Sequence, residues 1–205
     1  MGIIKNNNVQ KTRIFVLFLL IIIAGASVLA DGITQCTQIN SPGTYYLSND
    51  IASVDDCIVI SSSNVTLDCG YLGIHGVGNS TGITVMNAGD VVIQGCSITN
   101  FSTGVSIENS NNVLIMQSRM SDNKIGLLLN STSAVSTNNN TISSNSQFNV
   151  KNLDVQADAT YDYWGSTNNA TIASTMSGNV LFNPFLTQDP YGDTDNDGII
   201  NALDN

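Results

Sequence analysis

Positive charge is scarce: Lys and Arg together number six in 205 residues, against 16 Asp and Glu, and there is a single His. Three of those bases, Lys5, Lys11 and Arg13, precede Ile14, so a chain lacking residues 1–30 keeps only Arg119, Lys124 and Lys151 against all 16 acids, a net charge of −13. So acidic a surface argues against nucleic acid or anionic lipid as partners and favours solubility and cations. The four cysteines form no Cys-x-x-Cys or Cys/His cluster, which is poor spacing for a zinc or copper thiolate site. No Met/His cluster offers copper its soft or imidazole ligands. No Ser/His/Asp order, phosphate loop or helical stretch stands out in the body of the chain.

What is present is a repeat. Gly82-Ile-Thr-Val-Met-Asn, Gly104-Val-Ser-Ile-Glu-Asn and Gly126-Leu-Leu-Leu-Asn follow one another at steps of 22, with Phe148-Asn-Val-Lys-Asn 22 residues further on. Val91, Val113, Val135 form a second column at that interval and Ile93, Ile115, Thr137 a third. The runs alternate as strands do and are bounded by Asn, Ser, Gly and Thr, which tolerate tight or left-handed turns. A period near two dozen residues built from short strands means coils stacked on one another, each burying its inner face on the next. Asn64-Val-Thr-Leu67 continues the pattern off step, giving four good coils and a partial fifth. In the weaker fourth coil Thr137 and Asn140 replace apolar residues, which points to buried polar groups needing ladder partners or to a locally looser core. The register is expected to slip by one residue after Phe148, since Phe148 and Val150 alternate better than Asn149 and Lys151.

These repeats, together with Cys36-Thr-Gln-Ile-Asn-Ser-Pro-Gly-Thr-Tyr-Tyr-Leu-Ser-Asn-Asp50, Asn64-Val-Thr-Leu-Asp-Cys69, Tyr161-Asp-Tyr-Trp-Gly165 and Gly178-Asn-Val-Leu-Phe-Asn-Pro-Phe-Leu186, make the chain resemble the right-handed parallel β-helix proteins of the pectate-lyase-like and NosD-like group, especially archaeal surface forms. The resemblance spans roughly residues 33–188. It implies an all-β fold, a single-stranded right-handed parallel β-helix with coils of about 22 residues, with an N-terminal signal helix and a C-terminal acidic tail. The expected organisation is a leader at 1–30, an N-terminal cap at 31–56, coils at 57–160, a terminal coil and cap at 161–188, and the tail at 189–205. The fold alone is silent on activity, because it hosts lyases, hydrolases, adhesins and passive surface proteins alike.

Lys11, Arg13, the apolar run Ile14 to Ile23 and the small-residue stretch ending at Ala30 look like a signal peptide cleaved after Ala30; the alternative is an uncleaved membrane anchor. In an exported chain Cys36, Cys57, Cys69 and Cys96 are expected as disulfides. Cys36 with Cys57 would tie the cap to the first coil and Cys69 with Cys96 would join neighbouring rungs, although four cysteines allow three pairings and free thiols or metal ligands stay open. Six Asn-x-Ser/Thr sequons, at Asn64, Asn79, Asn100, Asn130, Asn139 and Asn169, are candidate glycan sites, or else chance products of an Asn-rich chain in which Asn64 and Asn139 serve turns.

The sharpest chemical motif lies at the end. Asp193, Asp195 and Asp197 stand at positions 1, 3 and 5, Gly198 at 6, Ile199 at 7 with a carbonyl that can ligate, Asn201 at 9 and Asp204 at 12. That spacing converges alternate oxygens on one hard cation and marks a Ca2+ loop. Asp204 replaces the usual Glu and no helices flank the loop, so it resembles a thrombospondin type 3 or dockerin-like half repeat; the plain alternative is a flexible acidic tail.

Pectate-lyase-like enzymes set Asp clusters and a basic residue in an external groove. The corresponding candidates are Asp68, Asp90, Glu108, Asp122 and Asp154, with Arg119 and Lys124 near Asp122 or Glu108, and they form no tight pair in sequence. His75, in Gly73-Ile-His-Gly, is expected at an exposed bend without a catalytic partner. Tyr45, Tyr46, Tyr71, Phe101, Tyr161, Tyr163, Trp164 and Phe185 could stack on sugars, but capping of the two open ends is the stronger expectation for Tyr161 to Gly165 and for Tyr45 and Tyr46. The expectation is an exported, non-catalytic surface protein that meets carbohydrate or other surface proteins and binds Ca2+ through its tail, with a polysaccharide lyase or hydrolase as the alternative.

Overall fold

Each coil lays down three short strands separated by corners, and successive coils hydrogen-bond in parallel to give three sheets of eight, seven and five strands. The computed structural model describes residues 31–154 and 156–192. Sheet A stacks Gly43–Leu47, Val65–Asp68, Gly89–Gln94, Asn111–Met116 and Ser133–Asn138 between shorter strands at either end. Sheet B runs from Thr37–Ile39 through Ile58–Ile60, Thr81–Met86, Thr103–Glu108, Ile125–Asn130 and Phe148–Asn152 to Met176–Ser177. Sheet C carries Ile51–Ala52, Gly73–His75, Ser97–Thr99, Arg119–Ser121 and Thr141–Ser143.

Val91, Val113 and Val135 pair in one register and are 0%, 1% and 7% exposed, so the expected aliphatic row packs inside the tube. Sheet B contributes Ile83, Val105, Leu127 and Val150, and sheet C contributes Ile51, Ile74, Ile98, Met120 and Ile142. Complete burial of each such side chain contributes about 1.5–3 kcal/mol. The glycine column has a steric cause. A Cβ on Gly82 would lie 2.7 Å from the carbonyl oxygen of Gly104, and one on Gly104 the same distance from that of Gly126. Coils closing at sheet spacing leave no room there for a methyl group.

The corners repeat as well. Asn64, Asp90, Asn112 and Ala134 stack in one column with φ of 58°, 56°, 50° and 51°, and Asn100, Asp122 and Ser144 form another at 62°, 58° and 57°. Left-handed backbone is costly for most L-residues and least so for Asn and Asp, which explains their abundance between the strands.

Sheet B has seven strands, so the stack makes about seven turns, more than the four and a partial fifth expected. The difference comes from irregular corners: the steps are 21 for Thr37 to Ile58, 25 for Ile58 to Ile83 and 26 for Val150 to Met176, which hides the outer coils from a fixed 22-residue period. Residues 31–56, expected as a cap, already contain one complete coil, with Thr37–Ile39, Gly43–Leu47 and Ile51–Ala52 on the three sheets. Phe148 pairs with Ile125 and not with Gly126, so the slip of one residue precedes it and Asn149 occupies the glycine column. At the C-terminal end Trp164 and Ile172 are buried, Ile172 from α1, Asn169–Ser174, the one helix among the described residues. Asn168 caps that helix by accepting from the amides of Ala170 and Thr171.

Candidate functional site

The acidic residues singled out in the sequence lie on different coils, with Asp90, Glu108 and Asp154 flanking the corner between sheets B and A. Asp68 ends a strand of sheet A and accepts from Gly70 N at 2.9 Å and Gln94 Nε2 at 2.9 Å. Asp90 sits on an exposed corner bonded to Asn112 of the next coil, and Glu108 ends a strand of sheet B and accepts from Ser106 Oγ at 2.9 Å. Asp122 occupies the opposite corner, in left-handed backbone. Asp154 is consumed by the turn above it, accepting from the amides of Ser131 and Thr132 and the Thr132 hydroxyl. Among the described residues no group of three or more His, Cys, Asp or Glu is placed to hold a metal ion.

His75 is not at an exposed bend: it closes the sheet C strand Gly73–His75, is half-buried, and its Nδ1 lies 2.9 Å from Thr99 Oγ1. Its neighbour Ile74 belongs to the interior row, which is why the segment extends as a strand. Between sheets B and A a groove of about 580 Å³ is lined by Asn87, Asn109, Ser110, Asn111, Ser131 and Ser133. Its walls offer amides and hydroxyls, donors and acceptors of the kind that polyols match.

Arg119 pairs with neither Asp122 nor Glu108. Its guanidinium lies 3.5 Å from Asp189, whose carboxylate also accepts from the Thr141 hydroxyl. Asp189 belongs to a C-terminal strap that climbs back along the stack. Pro184 O accepts from Tyr161 N at 2.6 Å, Leu186 N donates to Asp162 O at 2.9 Å, and Tyr191 reaches Tyr71, four coils up, with ring centroids 5.7 Å apart. Burial pushes the Tyr191 phenol well above its ordinary range, with Tyr71, Asp189 and Asp162 acting in the same direction. Of the aromatics expected as caps, Trp164 is buried, whereas Tyr161 is 57% exposed and Tyr46 43%.

Two hydrogen-bond ladders line inner corners. Between sheets C and B, Phe101 N donates to Asn123 Oδ1 at 2.9 Å and Asn123 N to Asn145 Oδ1 at 3.0 Å. Between sheets A and C, Cys96 N donates to Ser118 Oγ at 3.1 Å, Ser118 N to Asn140 Oδ1 at 2.8 Å and Asn140 N to Asp162 Oδ1 at 2.8 Å. The polar residues expected to need partners therefore have them: Asn140 Nδ2 donates to Ile115 O and Asp162 Oδ1, and the Thr137 hydroxyl donates to Asp162 Oδ2. Asp162 is 0% exposed, and burial raises its pKa to about 7 in spite of the hydrogen bonds from Thr137 and Asn140. Sequence reasoning passed over this residue, although it lies one 22-residue step beyond Asn140.

Cys36 is bonded to Cys57 and Cys69 to Cys96, the pairing expected, and no described cysteine is free. Asn64, Asn79, Asn100, Asn130 and Asn169 are exposed; Asn139 is half-buried and the Thr141 of its sequon is fully buried. Asn64, Asn100 and Asn139 have positive φ and so serve turns whatever else they carry. The expected leader at 1–30 and the Ca2+ ligands Asp193, Asp195, Asp197, Ile199, Asn201 and Asp204 lie outside the described residues. No described helix is long and apolar enough to cross a membrane.

Parallel strands coiled into three sheets around one aliphatic interior define a parallel β-helix. The family model described as a right-handed β-helix region matches residues 2–182, and the chain belongs to that family. No curated protein and no solved structure matches it.

Proposed function

We propose that this chain is an exported, non-catalytic β-helix that presents its corners to carbohydrate or other surface proteins. The observation that carries this reading is how its acids are engaged: each of Asp68, Asp90, Glu108 and Asp154 is bonded to its own coil or a neighbouring one, in turns and strand ends. Acid–base chemistry on a glycosidic bond needs two carboxyl groups within roughly 5–10 Å of a shared substrate position. Two disulfides in the upper coils fit an oxidising compartment, and the amide and hydroxyl groove between sheets B and A is the surface that would meet a sugar. Residues 193–204 supply a Ca2+ loop beyond the strap. Incubation with a panel of acidic and neutral polysaccharides tests the central point. Binding without release of reducing or unsaturated ends is expected, and cleavage lost in Asp90→Asn or Glu108→Gln would replace the reading with that of a lyase or hydrolase. For the tail, saturating Ca2+ should protect residues 189–205 from protease, and identical digestion in Ca2+ and chelator would count against it.

A further inference from the structure

Asp162 stands where three parts of the molecule meet. It ends the corner ladder that starts at Cys96, it belongs to the coil that carries Trp164 into the core, and its carbonyl anchors the strap through Leu186 N. Among the described residues its carboxyl group has polar neighbours but no cation. Oδ1 accepts from Asn140 N at 2.8 Å and Asn140 Nδ2 at 2.9 Å, and Oδ2 meets the Thr137 hydroxyl. The ionisable groups around it are Asp158 from its own coil, whose charge raises its pKa, and Tyr191 from the strap, whose phenol it raises in turn. Asp189 on the strap is an acid as well, and Arg119, the cation of this face, is engaged with Asp189.

The equivalent positions show what is unusual. In the coil above, Asn140 holds the same place without charge: its Oδ1 accepts from Ser118 N while its Nδ2 reaches back to Ile115 O. Asn123 and Asn145 reach back to Ile98 O and Met120 O in the same way in the other ladder. At the last rung an acid replaces the amide, and the interior residue opposite it, Ile93 and Ile115 in earlier coils, becomes Thr137 with its hydroxyl on the second carboxyl oxygen. Both changes accommodate a proton on Oδ2, which would donate to the Thr137 oxygen once the hydroxyl turns its own hydrogen away, while Oδ1 keeps its two amide donors. Among the described residues a buried anion in this place has no charge to balance it.

We propose that Asp162 is a proton-operated latch: its neutral carboxyl group holds the terminal coil and the strap at 184–192 against the stack, and loss of that proton releases them while the upper coils stay folded. The strap is held by backbone bonds to Tyr161 and to Asp162 itself, by the Asp189 pairings, by Phe185 against the core and by the Tyr71 ring, whereas the upper coils are tied by two disulfides. The direction follows from linkage. The carboxyl pKa is about 7 when folded, against an ordinary value of 3.8, so the native state keeps a proton that the unfolded chain has lost. The stabilisation is complete below the unfolded value and is lost as pH rises through about 7.

Hydrogen exchange of the full disulfide-bonded chain between pH 5 and 9, corrected for intrinsic rates, tests this. Amides of the terminal coil and strap should lose protection about tenfold per pH unit between pH 5 and about 7 and level off above it, with Val91, Val113 and Ile115 unmoved. Asp162→Asn keeps the Oδ1 acceptor without the charge, so its strap should stay protected at pH 9. The same pH dependence in Asp162→Asn, or simultaneous loss throughout the stack, would overturn the latch. Carboxyl carbon NMR of the unmutated protein decides independently of the variant's folding: an Asp162 midpoint near neutrality supports the proposal and one below pH 5 ends it.

Discussion

Replacing Asn123 by Ala should be among the most damaging polar substitutions in the molecule. The side chain is 2% exposed and makes three bonds: it accepts from Phe101 N at 2.9 Å and donates to Ile98 O and Ser121 O, both at 3.0 Å. Truncation leaves the Phe101 amide buried without an acceptor, at about 1–3 kcal/mol, and two carbonyls short of one donor each, at about 1 kcal/mol apiece since each has a second lone pair. The expected loss is about 3–5 kcal/mol on that reckoning. Asn145→Ala is the internal control, because Asn145 makes similar bonds, accepting from Asn123 N at 3.0 Å and donating to Met120 O at 2.9 Å, but is half-buried where water can replace it. It should cost only about 1–2 kcal/mol. Urea unfolding with disulfides intact, followed by circular dichroism and by the fluorescence of Trp164, the single tryptophan, measures both. A loss below 1 kcal/mol for Asn123→Ala, or equal losses for the two variants, would refute the view that burial of the ladder sets its worth.

Gly104→Ala would place a methyl group 2.7 Å from Gly126 O and 3.0 Å from Asn123 Nδ2; overpacking of this kind costs about 1–3 kcal/mol, and an unchanged Tm would show that the coils have slack. Reduction of the disulfides, which close spans of 21 and 27 residues, should lower stability by roughly 3 kcal/mol each, read as a shift of the urea midpoint on adding dithiothreitol. Arg119→Ala removes a half-exposed ion pair with Asp189 and should move stability by less than about 1 kcal/mol; a larger drop in the urea midpoint would mean that the pair anchors more than the strap.

The middle coils were legible because their corners are uniform. Val91, Val113 and Val135 share one step, and the glycines at 82, 104 and 126 mark the same point of each turn. The third side of the tube was harder to see. Its row Ile98, Met120, Ile142 keeps the period, yet each strand is only three residues long, with too little alternation to stand out. The outer coils escaped because their corners lengthen or shorten by up to four residues while the paired segments stay in register. Asp162 escaped for a different reason: a carboxylate in a sequence this acidic reads as surface, and only the stacking of Asn140 upon it shows that it points inward. The strap could not be read at all, since the contacts of Asp189 with Thr141 and Arg119 join residues 48 and 70 apart with no repeat to announce them.

The uneven corners have a consequence for how such a molecule can change. From Ile58 to Val150 the step between sheet B partners takes the values 25, 22, 22 and 23, and the inner rows do not notice. Length is absorbed outside the tube, so the cross-section behaves as a fixed gauge while the periphery is free to grow. Loops of new chemistry could be spliced into any bend without renegotiating the interior, and a lineage of such chains could diverge in what it touches while keeping the same bore.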